Sequence, residues 1–407
     1  MAILAQFFID AIKILLRGPR LYWIWVGSLS AIFLIGIVAY GVQLTQGLVV
    51  SGLSDQVSWG AYIANFAFLV GVAAAAVMLV IPGYIFNRSD IKRMVLIGEG
   101  IAVAAVVMCM LFVTVDLGRP DRIWHMIPLL GRFNFPYSLL AWDVVVLTGY
   151  LFLNLLIPFY ILFAHYRGKE PDHKAYFPWV VLSIAWAISI HTVTAFLFSS
   201  NVGREFWHTA VLGPRFLASA FSSGPALIII ALQIIHQVTD MKVEKKVMDT
   251  LTIVVTVALQ INLFLLGAEL FTEFYFPTEH IHGATFLFFG LKGYNTLVPW
   301  IWTAISFNVI AATMLTLHPL RNNTRTRNFA LGLLIVGVWI EKGMGLIIPG
   351  FVPTPIGEVF QYIPSLVELA VSLGVWALGL LIFTFLAKVA IPIELGQLRY
   401  NGKTSEE

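Results

Sequence analysis

The stretch MVLIGEGIAVAAVVMCMLFVTVDLGRPDRIWHMI, residues 94–127, decides the fold. From Met94 to Val115 it carries one charged side chain, Glu99. About 20 such residues cross a bilayer as a helix, and a soluble helix of this length would show a polar face. The run then ends abruptly in Asp116, Arg119, Asp121, Arg122 and His125. The pattern is a membrane span closed by a polar edge.

The rest of the chain agrees. Of 407 residues, 59% are hydrophobic and 12% charged, about half the roughly 25% that a soluble domain needs. Ten apolar runs follow one another, at 21–44, 59–85, 94–117, 137–164, 176–200, 210–236, 250–275, 297–318, 328–348 and 364–391. The ninth is the least regular, because Glu341, Lys342 and a run of Gly and Pro interrupt it. The expected architecture is all-α, a polytopic membrane protein with ten transmembrane helices over residues 21–391. Residues 1–20 hold Phe7, Phe8, Ile12, Leu15 and Leu16 at helical spacing among Asp10, Lys13, Arg17 and Arg20, which predicts an amphipathic helix in the interface. Residues 392–407 read as a polar tail. Small residues in GVAAAAV, GEGIAVAA and LGLLIVGVW predict close helix packing.

Charge gives an orientation. With the N-terminus inside, only Arg119, Arg122, Arg132, Arg204, Arg215, Lys292 and Lys342 of the 25 Lys and Arg fall on the outer side. The positive-inside rule then places both termini in the cytoplasm of a plasma-membrane protein. Cys109 is the only cysteine, which rules out thiolate-held clusters and covalent haem within the chain.

Titratable groups inside a membrane are costly and mark function by default. At about 1.5 Å per residue, Asp116 sits at the outer end of the third span, Asp143 about 9 Å inside the fourth and His191 roughly 13 Å inside the fifth. Glu269 and Glu273 share a face of the seventh span near the same side, and Glu341 and Glu368 are also in outer halves. The inner half holds little besides Glu99. A transporter site is expected near the midplane. An offset cluster suits a ligand that enters from lipid and exchanges protons with outer water, as a quinone does. A carboxylate or imidazole must then reach each ring oxygen and take its proton.

Bland alternatives stand beside each assignment. Asp116 could pair with Arg119, His191 could be a bonded core histidine, and Glu269 and Glu273 could neutralise Lys342 or Arg204. Glu341 and Lys342 read as a local charge pair, while Glu368 and Glu99 are undecided. Trp59, Trp124, Trp142, Trp207 and Trp300 fit an interfacial aromatic belt, and His280 and His282 lie in what reads as a solvated loop.

Several motifs together resemble the NrfD / polysulfide-reductase membrane-anchor family. They are WGAYIANFAFLVGVAAAA, DLGRPDRIWHM, PYSLLAWDVVVLTGY and IHTVTAFLFSSNVGREFWHTAVLGPRFLASAFSSGPAL, within residues 59–275. The ELFTEFYFPTEHIHG loop is most similar to the DsrP / HmeB branch, subunits of DsrMKJOP-type (Hme) complexes. The resemblance implies two four-helix bundles, spans 2–5 and 6–9, with spans 1 and 10 peripheral. It implies a menaquinone site in the first bundle, no haem or iron–sulfur cluster of the chain's own, and an extracytoplasmic ferredoxin-like iron–sulfur partner beside membrane and cytochrome subunits. Carried onto this sequence, the quinone role falls on Asp116, Arg119, Asp143 and His191, with Trp142 beside them and Arg119 as charge tuner. Trp207 and His208 would serve docking or proton exit, and Glu99, Glu269, Glu273 and His208 a proton pathway. The expected function is menaquinol oxidation in a sulfur-linked respiratory complex, with proton translocation as a further role. The rivals are an ion translocator without redox chemistry at this subunit and a structural anchor.

Overall fold

The computed structural model describes residues 2–127, 129–275 and 281–400. Among the described residues, ten helices are long and apolar enough to cross a membrane. They are span 1 (Arg20–Gln46), span 2 (Ala61–Ile85), span 3 (Asp90–Asp116), span 4 (Leu139–Tyr166), span 5 (His173–Ser199), span 6 (Leu212–Val238), span 7 (Lys245–Tyr275), span 8 (Val298–Thr316), span 9 (Thr324–Gly350) and span 10 (Leu366–Glu394). Helix is the only form in which a single segment satisfies its own backbone polar groups in hydrocarbon. Caps finish what the ladder leaves open: Ser138 accepts from the Ala141 N–H, Asp172 from Lys174, Asn323 from Arg325 and Ser365 from Glu368.

Spans 2, 3, 4 and 5 pack in series, and so do spans 6, 7, 8 and 9. Span 2 lies against spans 6 and 9, which joins the two groups, while span 1 pairs with span 10 and span 10 leans on span 3. Burial separates the roles: 94% of the most apolar window of span 2 is inside the protein, against 11% for span 1. Small residues set the closest crossings. Gly36 and Gly374 face each other so tightly that a Cβ on Gly36 would lie 2.6 Å from the Gly374 Cα.

Spans 2 and 9 are not continuous α-helices. Span 2 passes through a 3-10 turn at Ala74–Ala76 and a π-helical turn at Ile81–Ile85. Span 9 runs as α-helix to Lys342, breaks at Gly343, and resumes as a short helix and a 3-10 turn. The irregularity read from its Gly and Pro is therefore real.

Two further points differ from the sequence reading. Between spans 7 and 8, Ile281–Phe288 forms a short helix with Phe286, Leu287 and Phe288 buried, where a loop was expected. His282 on it is exposed, and His280 lies outside the described residues. Trp207 is not part of an interfacial belt. It is 1% exposed, donates to the Leu346 carbonyl at 2.8 Å and stacks on Trp59 at 5.7 Å, pinning span 2 to the broken end of span 9.

The N-terminal helix, Ala2–Leu15, packs Phe7 against Phe159, Phe163 and Tyr166 of span 4. The Tyr166 hydroxyl donates to Asp10 at 2.9 Å, and its carbonyl accepts from the Tyr400 N–H at 2.8 Å. Span 10 extends past residue 391 to Glu394, where His165 meets Glu394 at 2.9 Å. Both terminal segments thus close on the end of span 4. We call that side the terminal face, and the side bearing the DLGRP turn the motif face.

Glu368, undecided from sequence, is structural. Fully buried, it accepts from the Ala61 N–H and the Gly52 N–H at 3.0 Å each and from the Tyr362 hydroxyl, fastening span 10 to the start of span 2. Glu368→Ala is expected to cost about 2–4 kcal/mol in mixed-micelle denaturation, because buried donors that it satisfies are left open; an unchanged midpoint would refute this role.

Asp10 gives a pH test. Its carboxyl is held below the usual value, chiefly by the Gln6 hydrogen bond, opposed by burial and helped by Lys13 and Tyr166. Of these partners only Tyr166 lies off the helix, so its share of the shift belongs to docking: it is present above the unfolded value and is lost as pH falls through the folded one. A spin label on Phe8→Cys should report a docked helix at about pH 5–8 and loosening below about pH 4.

Candidate functional site

In the first bundle, Asp143 of span 4 is 4% exposed and Thr194 of span 5 is fully buried. The Thr194 Oγ1 lies 2.8 Å from Asp143 Oδ1 and 2.7 Å from the Ile190 carbonyl. One hydroxyl has one proton, so the two contacts are alternatives. When Asp143 is ionised, Thr194 donates to it. When Asp143 takes a proton, Thr194 turns its O–H to Ile190 and accepts from the acid. Asp143 can thus gain and lose a proton without moving a heavy atom.

One turn from Thr194, His191 is fully buried. Its Nδ1 sits 3.0 Å from the Ala187 carbonyl, so Nδ1 carries the hydrogen and Nε2 is left as an acceptor. Nε2 has no hydrogen-bond partner among the described residues. A buried acceptor without a partner costs free energy and fits a ligand hydroxyl.

Asp116 occupies a different corner. It ends span 3, its Oδ1 is buried without a partner among the described residues, and its electrostatic neighbours are Glu368 and Tyr62. Beside it, Tyr62 donates to Gln43 at 2.6 Å, and Gln43 donates to the Val115 carbonyl at 2.7 Å. The structure therefore joins Asp143 to Thr194, with His191 one turn away along span 5, and sets Asp116 at the motif face toward spans 1, 2 and 10.

The other sequence-derived residues fall elsewhere. Arg119 forks onto Asp121 at 3.0 and 2.9 Å, both exposed, and pairs there in place of Asp116. That pairing holds the Asp121 carboxyl below its usual value. Trp142 is 37% exposed, donates to the Pro136 carbonyl and packs on Phe135. His208 is exposed and bonded to the Ser199 carbonyl. Glu99 lies alone in the terminal half of span 3, with the Tyr84 hydroxyl at 3.5 Å. Arg204 lies over the Phe351 ring at 4.6 Å.

The second bundle holds a buried ion cluster that the sequence reading dispersed. Arg215, counted there on the outer side near the start of the sixth run, is in the first turn of span 6 and nearly buried. It pairs with Glu269 of span 7 and, at 2.9 Å, with Glu341 of span 9. Asn262 and Asn308 add amide donors to Glu341, the latter at 2.8 Å. Glu341 and Lys342 are not a local pair: Lys342 turns away to the Phe216 carbonyl at 3.3 Å and the Phe216 ring at 4.0 Å. A cleft lined by Arg215, Glu269, Glu273 and Glu341 opens beside the cluster, with room for a water or two. Polar residues recurring at buried depth on spans 6–9 were visible in the sequence; which of them meet depends on helix rotation, which was not.

Removing one member of a buried charge cluster is dearer than removing a neutralised set. Arg215→Met should lose about 3–5 kcal/mol of stability, and adding Glu341→Gln to it should restore part of that loss. A double variant no more stable than Arg215→Met would show that the cluster is not held by charge pairing.

Three curated proteins resemble the chain along most of its length. One is described as a putative membrane subunit of a dimethyl sulfoxide reductase from Halobacterium salinarum, 25% identical, with 88% of each chain covered. Another is an Hdr-like menaquinol oxidoreductase integral membrane subunit from Archaeoglobus fulgidus, 24% identical over 89% of this chain and 91% of the other. A third is a subunit of a selenate reductase from Mesobacillus selenatarsenatis, 23% identical over 90% and 93%. The profile described as "Polysulphide reductase, NrfD" matches residues 49–353, which takes in spans 2 to 9. By that match the chain belongs to the NrfD polysulphide reductase family, and its ten apolar spans make it a multi-pass membrane protein.

Proposed function

We propose that this chain is the quinone-interacting membrane subunit of a multi-subunit oxidoreductase, with its site in the first bundle. The observation that carries the reading is the open acceptor on His191 Nε2 one turn from the Asp143–Thr194 relay. A quinol hydroxyl donating to Nε2 would satisfy the one and hand its second proton to the other. Asp116, also open at Oδ1, stands nearer the motif face and would pass protons to water. Electrons leave to a partner protein, because Cys109, the only cysteine, is buried and alone. Arg119, occupied by Asp121, acts in our reading on the docking side of the turn.

The naming of relatives as subunits of reductases, one of them a menaquinol oxidoreductase, supports menaquinol as the substrate and a partner-dependent assembly. The quoted motifs support a sulfur-linked complex of DsrMKJOP type with an extracytoplasmic iron–sulfur partner over the motif face. The lysine and arginine distribution supports cytoplasmic termini in a plasma membrane. Two of the seven cations counted as outer, Arg215 and Lys342, are buried within spans and vote for neither side.

A second reading has an observation of its own. The charged, water-sized cleft at Arg215, Glu269 and Glu341 favours a proton- or ion-translocating role centred on the second bundle. Quenching of a fluorescent quinol analogue by the purified protein separates the two. Asp143→Asn and His191→Ala should each weaken binding at least about tenfold, roughly 1.4 kcal/mol, while Glu269→Gln leaves it within about twofold. Equal affinity in all four proteins would remove the first-bundle site.

A further inference from the structure

The DLGRP turn runs on into a segment that the quinol site does not use. Beyond Asp116 the chain leaves span 3 and passes through a 3-10 helix, Pro120–Met126, before span 4 begins. Trp124 and Ile127 are exposed there, and so is Leu130. Leu129 is fully exposed and is held at φ 76°. That backbone region is strained for a bulky side chain, whereas glycine adopts it freely. The turn is nonetheless firmly built: the Leu130 and Gly131 N–H groups donate to the Ile127 carbonyl at 3.2 and 2.9 Å. Gly131 has no room for a side chain, since a Cβ there would stand 2.0 Å from the His125 carbonyl oxygen. A tight, hydrogen-bonded turn thus presents aliphatic side chains outward at its tip.

The return from the tip is tied to span 4. Phe135 packs on Trp142 with ring centroids 4.5 Å apart, and the Trp142 indole N–H donates to the Pro136 carbonyl at 2.7 Å. Trp142 lies in the first turn of that span, so the loop folds back alongside the helix instead of standing away from it. Further along span 4, Phe152 and Leu155 are exposed at hydrocarbon depth. The tip therefore continues a surface that already faces lipid. Two cations flank it. Arg119 takes Asp121, whereas Arg122 and Arg132 are exposed and have no ion-pair partner among the described residues.

We propose that this segment is a membrane-surface anchor: Ile127, Leu129 and Leu130 enter the leaflet at the motif face beside span 4, and Arg122 and Arg132 hold the phosphates of anionic lipids there. Aromatic rings at headgroup level, apolar side chains beneath them and cations at the rim are what an interfacial segment needs. A stable protein partner needs roughly 800 Å² on each side, more than a single turn presents, while hydrocarbon accepts any apolar shape. The anchor fixes the height of the DLGRP turn on the membrane. It follows from the membrane spans and does not depend on the quinol site.

Spin labels on the full-length chain, reconstituted alone in lipid nanodiscs, test this. Cys109 is buried and does not compete for the label. In phosphatidylcholine mixed with phosphatidylglycerol in equal parts, a label at Leu129→Cys should be relaxed more by oxygen, which concentrates in hydrocarbon, than by a water-soluble nickel chelate. Phe152→Cys should behave alike, and Lys169→Cys, in the loop between spans 4 and 5, should behave oppositely. A Leu129 label that reads like Lys169→Cys overturns the proposal, and is the outcome if the tip waits for a soluble subunit. Spin–spin broadening, the mark of a second copy on the tip, overturns it too. In phosphatidylcholine alone, nickel access at Leu129 should rise about twofold or more as the arginines lose their anionic partners. Arg122→Gln combined with Arg132→Gln should abolish that dependence on lipid. Native protein indifferent to the lipid, or a double variant that keeps the full dependence, is equally fatal. Leu130→Cys repeats the reading should the label at Leu129 disturb the turn. No readout uses quinol, so the anchor and the quinol site fail separately.

Discussion

Hydrocarbon supplies no hydrogen bonds, and every feature of this molecule follows from how its buried polar groups cope with that. The backbone is satisfied by helices throughout the spans. Side chains must find partners on neighbouring helices, and where one does not, the position stays open. Glu368, Trp207 and Gln43 show the first outcome, each tied to backbone groups of distant segments. Asp116 Oδ1 and His191 Nε2 show the second.

The two bundles use their polar residues differently. The first keeps them sparse and short of partners, with Asp143 and Thr194 arranged as a reversible pair beside an open imidazole. The second joins them: Arg215, Glu269, Glu341, Asn262 and Asn308 form one interlocked set, with the amide oxygens of both asparagines left open among the described residues. A sparse set can rearrange when a ligand comes and goes. An interlocked set holds charge and resists change. The break at Gly343 sits between them and leaves Lys342 on the seam.

Much of this was legible in the chain. Runs of about 20 apolar residues are the strongest signal a sequence offers, and all ten spans lie where those runs are. Asp143 and His191 stood out because titratable residues at that depth are expensive. Partnerships were not legible. Arg119 lay three residues from Asp116 and still chose Asp121, because the chain turns out of the helix at Leu117. Arg215 was counted with the outer cations because it stands near the start of the sixth run, where two or three positions separate surface from interior. The helix at Ile281–Phe288 was missed because eight residues are too few for periodicity to show.

The closure of both chain ends on Tyr166 has a consequence for biogenesis. The Ala2–Leu15 helix is synthesised long before residues 395–400, yet Tyr166 holds Asp10 through its hydroxyl and Tyr400 through its carbonyl. A nascent chain therefore leaves the insertion machinery with this corner unfinished. Only when the last span has threaded can residues 395–400 reach this corner, so completion of the terminal face reports that span 10 is in place.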